Sequence, residues 1–252
     1  MVISDTEAVY LYGLDIVPRK QEGGQIMGLG RCLEVFVILG LLILGLCIGC
    51  GEPPPLDTSL LTGEPCEPPC WQGLTPGLST QEEVNEFTRT SGFVNAQTLY
   101  PGRLSRGGQR VGVSMQWRST TGRGSGSNSF AIEDGVLKYI IIYPDYDLTL
   151  ESLIDRYGTS GKFRVIIAGS GLPYLRVTLF YPTHGFTATV ELPIDDAQLL
   201  PESIVSRVWY FQAAPLERFI ELGCEVGFLG STPEKWLESL RDWQGYAAIE
   251  IP

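Results

Sequence analysis

Apolar and polar residues alternate with different periods along this chain, and each period predicts a different element. The longest apolar run is Val35–Gly49, within RCLEVFVILGLLILGLCIGC from Arg31 to Cys50. Its fifteen residues fall short of the ~20 that span a bilayer comfortably, so a cleaved export signal fits better than a permanent span. The polar, proline-rich stretch that follows, residues 51–69, cannot continue a helix and reads as a linker.

Beyond the linker the period becomes helical. Thr80 is placed to cap a helix, and Glu83 three residues later completes a capping box. Val84 and Phe87 share a face, and Gly92 stops the helix. Four strand-like runs follow: Phe93–Tyr100, Val111–Ser119, Asn128–Glu133 and Val136–Tyr143. Asp134-Gly135 between the last two is a strong hairpin signal. The same order then recurs. Thr149 caps a helix carrying Leu150, Leu153, Ile154 and Tyr157, and the runs Lys162–Ala168, Tyr174–Tyr181, Phe186–Leu192 and Ile204–Phe211 come next. This pattern predicts an α+β fold of two tandem modules, each a helix plus a four-stranded antiparallel sheet, over residues 70–145 and 146–212. A closing helical segment, residues 213–252, starts its helix at Ser231 or Thr232 with Pro233 in the first turn. Its apolar stripe is Trp236, Leu237, Leu240 and Trp243.

The charges ahead of the apolar run qualify the signal reading. Residues 1–26 hold Asp5, Glu7, Asp15 and Glu22 against Arg19 and Lys20, whereas export signals open with a short basic stretch. They are expected to be an over-extended reading frame without structure, with the signal or anchor occupying residues 27–50 from Met27. Small residues lead into Cys50, the expected lipidation site; the competing reading keeps the run as an uncleaved membrane anchor. Either way the remainder is expected outside the cytoplasm, attached to the cell membrane.

Removing residues 1–49 takes five acids and three bases from 29 and 18, leaving 24 against 15 and a formal charge of −9. Such a chain repels nucleic acid, whose binding rests on neutralising phosphates. Three cysteines remain besides Cys50. Cys66 and Cys70 form the nearest pair, with Cys224 as the alternative partner, and an exported location permits the bond. The only histidine is His184, and CEPPC lacks a second ligand pair, so neither a metal nor a cofactor is expected.

Motifs for catalysis fail one by one. No G-x-S-x-G elbow occurs, Gly161-Lys162 lacks the glycines of a phosphate loop, and His184 falls in a predicted turn. The carboxylate pairs Asp145/Asp147 and Asp195/Asp196 fall in loops and read as solvated turn residues. One asymmetry remains: Thr98–Phe130 contains no acid, while Arg103, Arg106, Arg110, Arg118 and Arg123 give it +5. These arginines are the candidate contact for a polyanion or an acidic envelope protein.

The run into Cys50 resembles the lipobox of bacterial lipoproteins, with Cys47 standing where a leucine is usual. PCWQGLTPGLSTQEEV, Pro69–Val84, and LTLESLIDRYG, Leu148–Gly158, are similar to segments of uncharacterised lipoproteins from Chloroflexi-like genomes. The helix-plus-four-strand order also resembles the tandem modules of β-lactamase-inhibitor proteins and, more loosely, single-module outer-membrane assembly lipoproteins. These resemblances imply a binding or scaffolding role rather than catalysis. The expectation is therefore a membrane-anchored binding or adaptor module of the cell envelope, offering a sheet face with aromatics such as Trp117, Tyr139, Tyr181 or Trp209, although strand alternation turns only some of these outward and assigns most to the core. The alternative is an envelope hydrolase acting on glycan or peptide, which needs converging carboxylates or His184 beside a nucleophile.

Overall fold

The computed structural model describes residues 54–106, 109–124, 126–169, 171–225 and 232–251. The anticipated signal, Cys50, and the first residues of the linker lie outside the described residues. So does the side chain of Arg106. Residues 53–252 form one compact unit.

A short helix α1 (Ser59–Thr62) leads to α2 (Gln81–Thr90), where the capping box forms: the Thr80 side chain accepts from Glu83 N, and the Glu83 carboxylate accepts from Thr80 N. Strands β1 (Tyr100–Arg106), β2 (Gln109–Trp117), β3 (Asn128–Glu133) and β4 (Val136–Ile142) follow as an antiparallel meander. Helix α3 (Leu150–Tyr157) precedes a second meander, β5 (Lys162–Ala168), β6 (Tyr174–Tyr181), β7 (Phe186–Pro193) and β8 (Val205–Tyr210). Helices α4 (Leu216–Glu225) and α5 (Pro233–Glu238) and a two-residue strand β9 (Arg241–Asp242) complete the chain.

The expected pair of separate modules is not what forms. All nine strands join one antiparallel sheet in the order β1-β2-β3-β4-β8-β7-β6-β5-β9. The reason lies in the two strands that meet at its centre. Ile140, Ile141 and Ile142 of β4 face Tyr210, Trp209 and Val208 of β8, so both strands are apolar on both sides. As free edges they would expose unpaired backbone and apolar side chains alike; pairing them removes both liabilities. A single core then runs beneath both halves, with Val84, Phe130 and Ile140 in the same cluster as Leu153, Val177 and Phe186. The closing segment also differs from expectation. It holds two short helices rather than one, its second ends at Glu238, the Thr232 side chain makes no cap, and β9 adds a strand to the edge beside β5.

One predicted strand moves as well. Phe93–Tyr100 becomes a bridge at Val94 and a 3₁₀ turn at Ala96–Thr98, and the real first strand starts at Tyr100 within the arginine-rich stretch. At the β3–β4 turn Asp134 (φ 54°) and Gly135 (φ 74°) both adopt positive φ, as a type I′ turn requires.

Strand alternation gives the sheet two faces. On the first, α2, α3 and the segment through Trp71 cover the main core. Trp71 is 1% exposed and packs on Phe87, Trp117 and Phe130, with ring centroids 5.3–5.9 Å apart. On the second, α4 and α5 bring Phe219, Ile220 and Trp236 onto Tyr139, Phe180 and Trp209. The Trp71→Ala variant removes the indole that fastens the N-terminal segment to the sheet. It should lower unfolding stability by about 3–5 kcal/mol in urea titration.

Candidate functional site

The described members of the arginine set divide between the two ends of β2. Arg103 and Arg110 lie on the β1–β2 hairpin at the sheet edge, where Arg103 pairs with Val113 and Arg110 with Ser105. Arg118 and Arg123 follow the far end of β2. All four are exposed, but the length of a strand separates the two groups, so the five-arginine stretch does not gather into one patch. Of the candidates for an aromatic face, Trp117, Tyr139, Tyr181 and Trp209, none turns outward, where the alternation had assigned most but not all to the core. All four rings are buried, at 2–9% exposure, divided between the cores of the two faces.

The carboxylates gather elsewhere than expected. Asp145 is not a solvated turn residue: it is buried, and accepts from Ser119 Oγ at 2.7 Å, Thr121 Oγ1 at 2.9 Å and Asp57 N at 3.4 Å. Asp57 in turn accepts from Trp71 Nε1, Gln72 Nε2 and Ser59 Oγ. The space enclosed beside this pair is about 10 Å³, near the minimum for one water, while Asp145 also borders an open groove of about 460 Å³ with Arg123 and Asp147. The aspartates form a strap that ties the start of the domain to the β4 end. Asp147, Asp195 and Asp196 are exposed. His184 lies in a 3₁₀ turn and meets the rings of Tyr157 and Phe186, with centroids at 5.1 and 6.3 Å. Among the described residues no group of three His, Cys, Asp or Glu side chains is placed to hold a metal. Cys66 and Cys70 are joined by a disulfide, and Cys224 on α4 is a free thiol.

A groove of about 350 Å³ opens between the β3–β4 turn and α4. Arg218 on its border bonds both Glu221 and Glu225, and Glu133, Asp134 and Lys138 also line it.

Among the described residues, a row of arginines and threonines lies on the second sheet face, beside the part the helices cover; Arg207 Nη1 donates to Tyr143 Oη at 3.5 Å. Register aligns Arg207 of β8 with Thr189 of β7, Thr189 with Thr178 of β6, and Thr178 with Arg164 of β5. In the next row Glu191 faces Arg176. Arg164 lies flat on Trp236, its guanidinium carbon 3.6 Å from the ring centroid. Arg207 lies over Tyr143 and Trp209 at 5.8 and 5.6 Å. Arg176 donates to Tyr174 Oη at 2.8 Å, while its Nε is 3.5 Å from Glu191 Oε1, an ion pair too poorly aligned to be a hydrogen bond. Burial, chiefly, holds the Arg164 guanidinium below its ordinary value.

Thr178 and Thr189, between the arginines in the row, are both buried. Arg164 Nε, Arg207 Nε, Thr187 Oγ1 and Thr189 Oγ1 are all buried without a hydrogen-bond partner. Such atoms cost about 1–3 kcal/mol each, so a cluster of them on one face needs a reason. The sequence carried the signal in the alternating polar positions of KFRV, LRVT and FTATVE, read only as strands.

Two outcomes test these assignments. Burial, with Asp57 adding to it, holds the phenols of Tyr146 and Tyr210 above their ordinary value of 10.0. Folded phenols therefore keep protons that the unfolded chain releases. Their contribution is complete below pH 10 and declines as pH rises above it, so tyrosinate absorbance should appear together with loss of the fold. The Thr189→Val variant removes an unpaired hydroxyl and should leave stability unchanged or raise it by up to about 1 kcal/mol in urea titration. Comparison with family models, with curated proteins and with solved structures gives no match to this chain.

Proposed function

We propose that this chain is a binding module of the cell envelope, tethered to the membrane outside the cytoplasm and acting by recognition rather than chemistry. The observation that carries the reading is the arginine–threonine face of β5–β8, which holds polar atoms without partners in the isolated chain. A fold that needed this face only for stability would gain by making it apolar; a fold that presents it to a ligand gains partners on binding. The apolar run ending in Cys50 and the Cys66–Cys70 disulfide, a bond that persists in oxidising compartments, support the tether in this reading.

The reading places the two aspartates in structural roles. Asp57 and Asp145 are fully occupied in holding the N-terminal segment, which positions the sheet relative to its linker. Fractionation of the producing cells tests the proposal. The chain should appear with the membrane, label with fatty acid, and resist thiol alkylation at Cys66 and Cys70 until reduced. The Cys50→Ala variant should lose the fatty-acid label. An unacylated chain in the cytosol with both thiols alkylated would overturn it.

A further inference from the structure

We infer that the β5–β8 face is a binding site for an extended carboxylate-bearing polysaccharide, recognised by Arg164, Arg176 and Arg207 above a threonine floor. This rests on the binding reading above and gives its ligand a chemistry.

Geometry supplies the first argument. Arg207 and Arg164 stand at the two ends of one cross-strand row, three strand spacings apart, or about 14 Å between backbones. Arg176 lies one row away, on the strand between β5 and β7. A single small anion cannot meet both ends of this row. A chain laid across the strands meets Arg207, passes Thr189 and Thr178, and reaches Arg164.

Charge supplies the second. The face has three arginines and, in the adjacent row, one acid, Glu191, within a protein of formal charge −11. That local excess is small and the surrounding protein is negative, so a densely charged polymer such as polyphosphate or nucleic acid gains little and is repelled at the margins. A ligand with one carboxylate per sugar places its charges sparsely enough to match. Guanidinium groups also bind carboxylates in paired, coplanar hydrogen bonds, which suits arginine rather than lysine at all three positions.

The third argument is the supply of polar atoms. Thr187 Oγ1 and Thr189 Oγ1 are buried and unpartnered, as are Arg164 Nε and Arg207 Nε. Carboxylate and hydroxyl oxygens of the ligand would supply acceptors to the two guanidinium nitrogens. The rings of Trp236 and Tyr143 lie against the guanidiniums of Arg164 and Arg207 at the two ends of the row.

The test is equilibrium binding by the full-length chain in non-ionic detergent, using labelled polygalacturonate oligomers at low and high salt. Wild type should bind them, lose affinity with salt, and ignore the methyl-esterified polymer. The triple variant R164Q/R176Q/R207Q should bind roughly tenfold or more weakly, while R103Q/R110Q/R123Q should match wild type. R207Q alone should show a several-fold loss, which keeps the test open if the triple variant fails to fold. Equal binding by R207Q and wild type, or equal binding of the methyl ester, would overturn the assignment. Tighter binding of polyphosphate or polyglutamate would overturn it in favour of another ligand class. Failure here with the chain still acylated and membrane-bound removes the ligand and leaves the tether; a reduced cytosolic chain that still binds polygalacturonate removes the envelope location alone.

Discussion

Three residue pairs at the centre of the sheet, Ile140–Tyr210, Ile141–Trp209 and Ile142–Val208, carry the organisation of the whole domain. Each of the other main strand pairs joins neighbours in sequence and closes through a local turn. The β4–β8 ladder joins segments more than sixty residues apart, and its loop-closure entropy must be offset by burial on both faces. Below, Ile140, Ile142, Val208 and Tyr210 enter the main core; above, Ile141 and Trp209 enter the second. Without this junction each meander would keep an apolar edge, and α4 and α5 would lack the platform of Tyr139, Trp209 and Phe180.

That platform also explains why the second face is divided. The helices settle where aromatic side chains offer area to bury, around Trp209 and Phe180, and stop where alternate positions become Thr178, Thr189, Arg164 and Arg176. The boundary between covered and uncovered sheet is thus set by side-chain chemistry along β6 and β7 rather than by strand length. At that boundary Trp236 and Trp209 serve two purposes, packing against the core and supporting an arginine from below. Cation–π contacts of this kind contribute about 0.5–2 kcal/mol, enough to hold a guanidinium flat without fixing it there.

Much of the local structure was legible in the sequence because it is written locally. The capping box at Thr80 and Glu83, the positive-φ turn at Asp134-Gly135 and the bounds of β3, β5 and β6 depend on a few adjacent residues. Helix α4 had a readable stripe in Leu216, Phe219, Ile220 and Gly223 but no start signal ahead of it. Strand β1 was hidden by Pro101, Gly102 and its arginines, which deter a strand reading and are tolerated at a sheet edge. What no local pattern reports is distance in space. Asp145 is buried because Ser119, Thr121 and the backbone of Asp57 surround it, and Asp57 is 88 positions away. Arg164, Arg176 and Arg207 become neighbours only through strand register, so the conspicuous run Arg103–Arg123 drew attention that the dispersed trio did not.

The two borders of the sheet have a consequence for many copies held close together. On one side β1 presents Pro101, which has no N–H to donate, followed by Arg103. On the other, β9 is only two residues long and is bound to its neighbour by Lys162 and Asp242. The β1 border is blunted by that proline and arginine, whereas β9 pairs only with Lys162 and Phe163 and leaves Arg164–Ala168 of β5 without a strand partner from β9. Edge-to-edge pairing between copies of this domain is therefore opposed along β1 and left open along the remainder of β5.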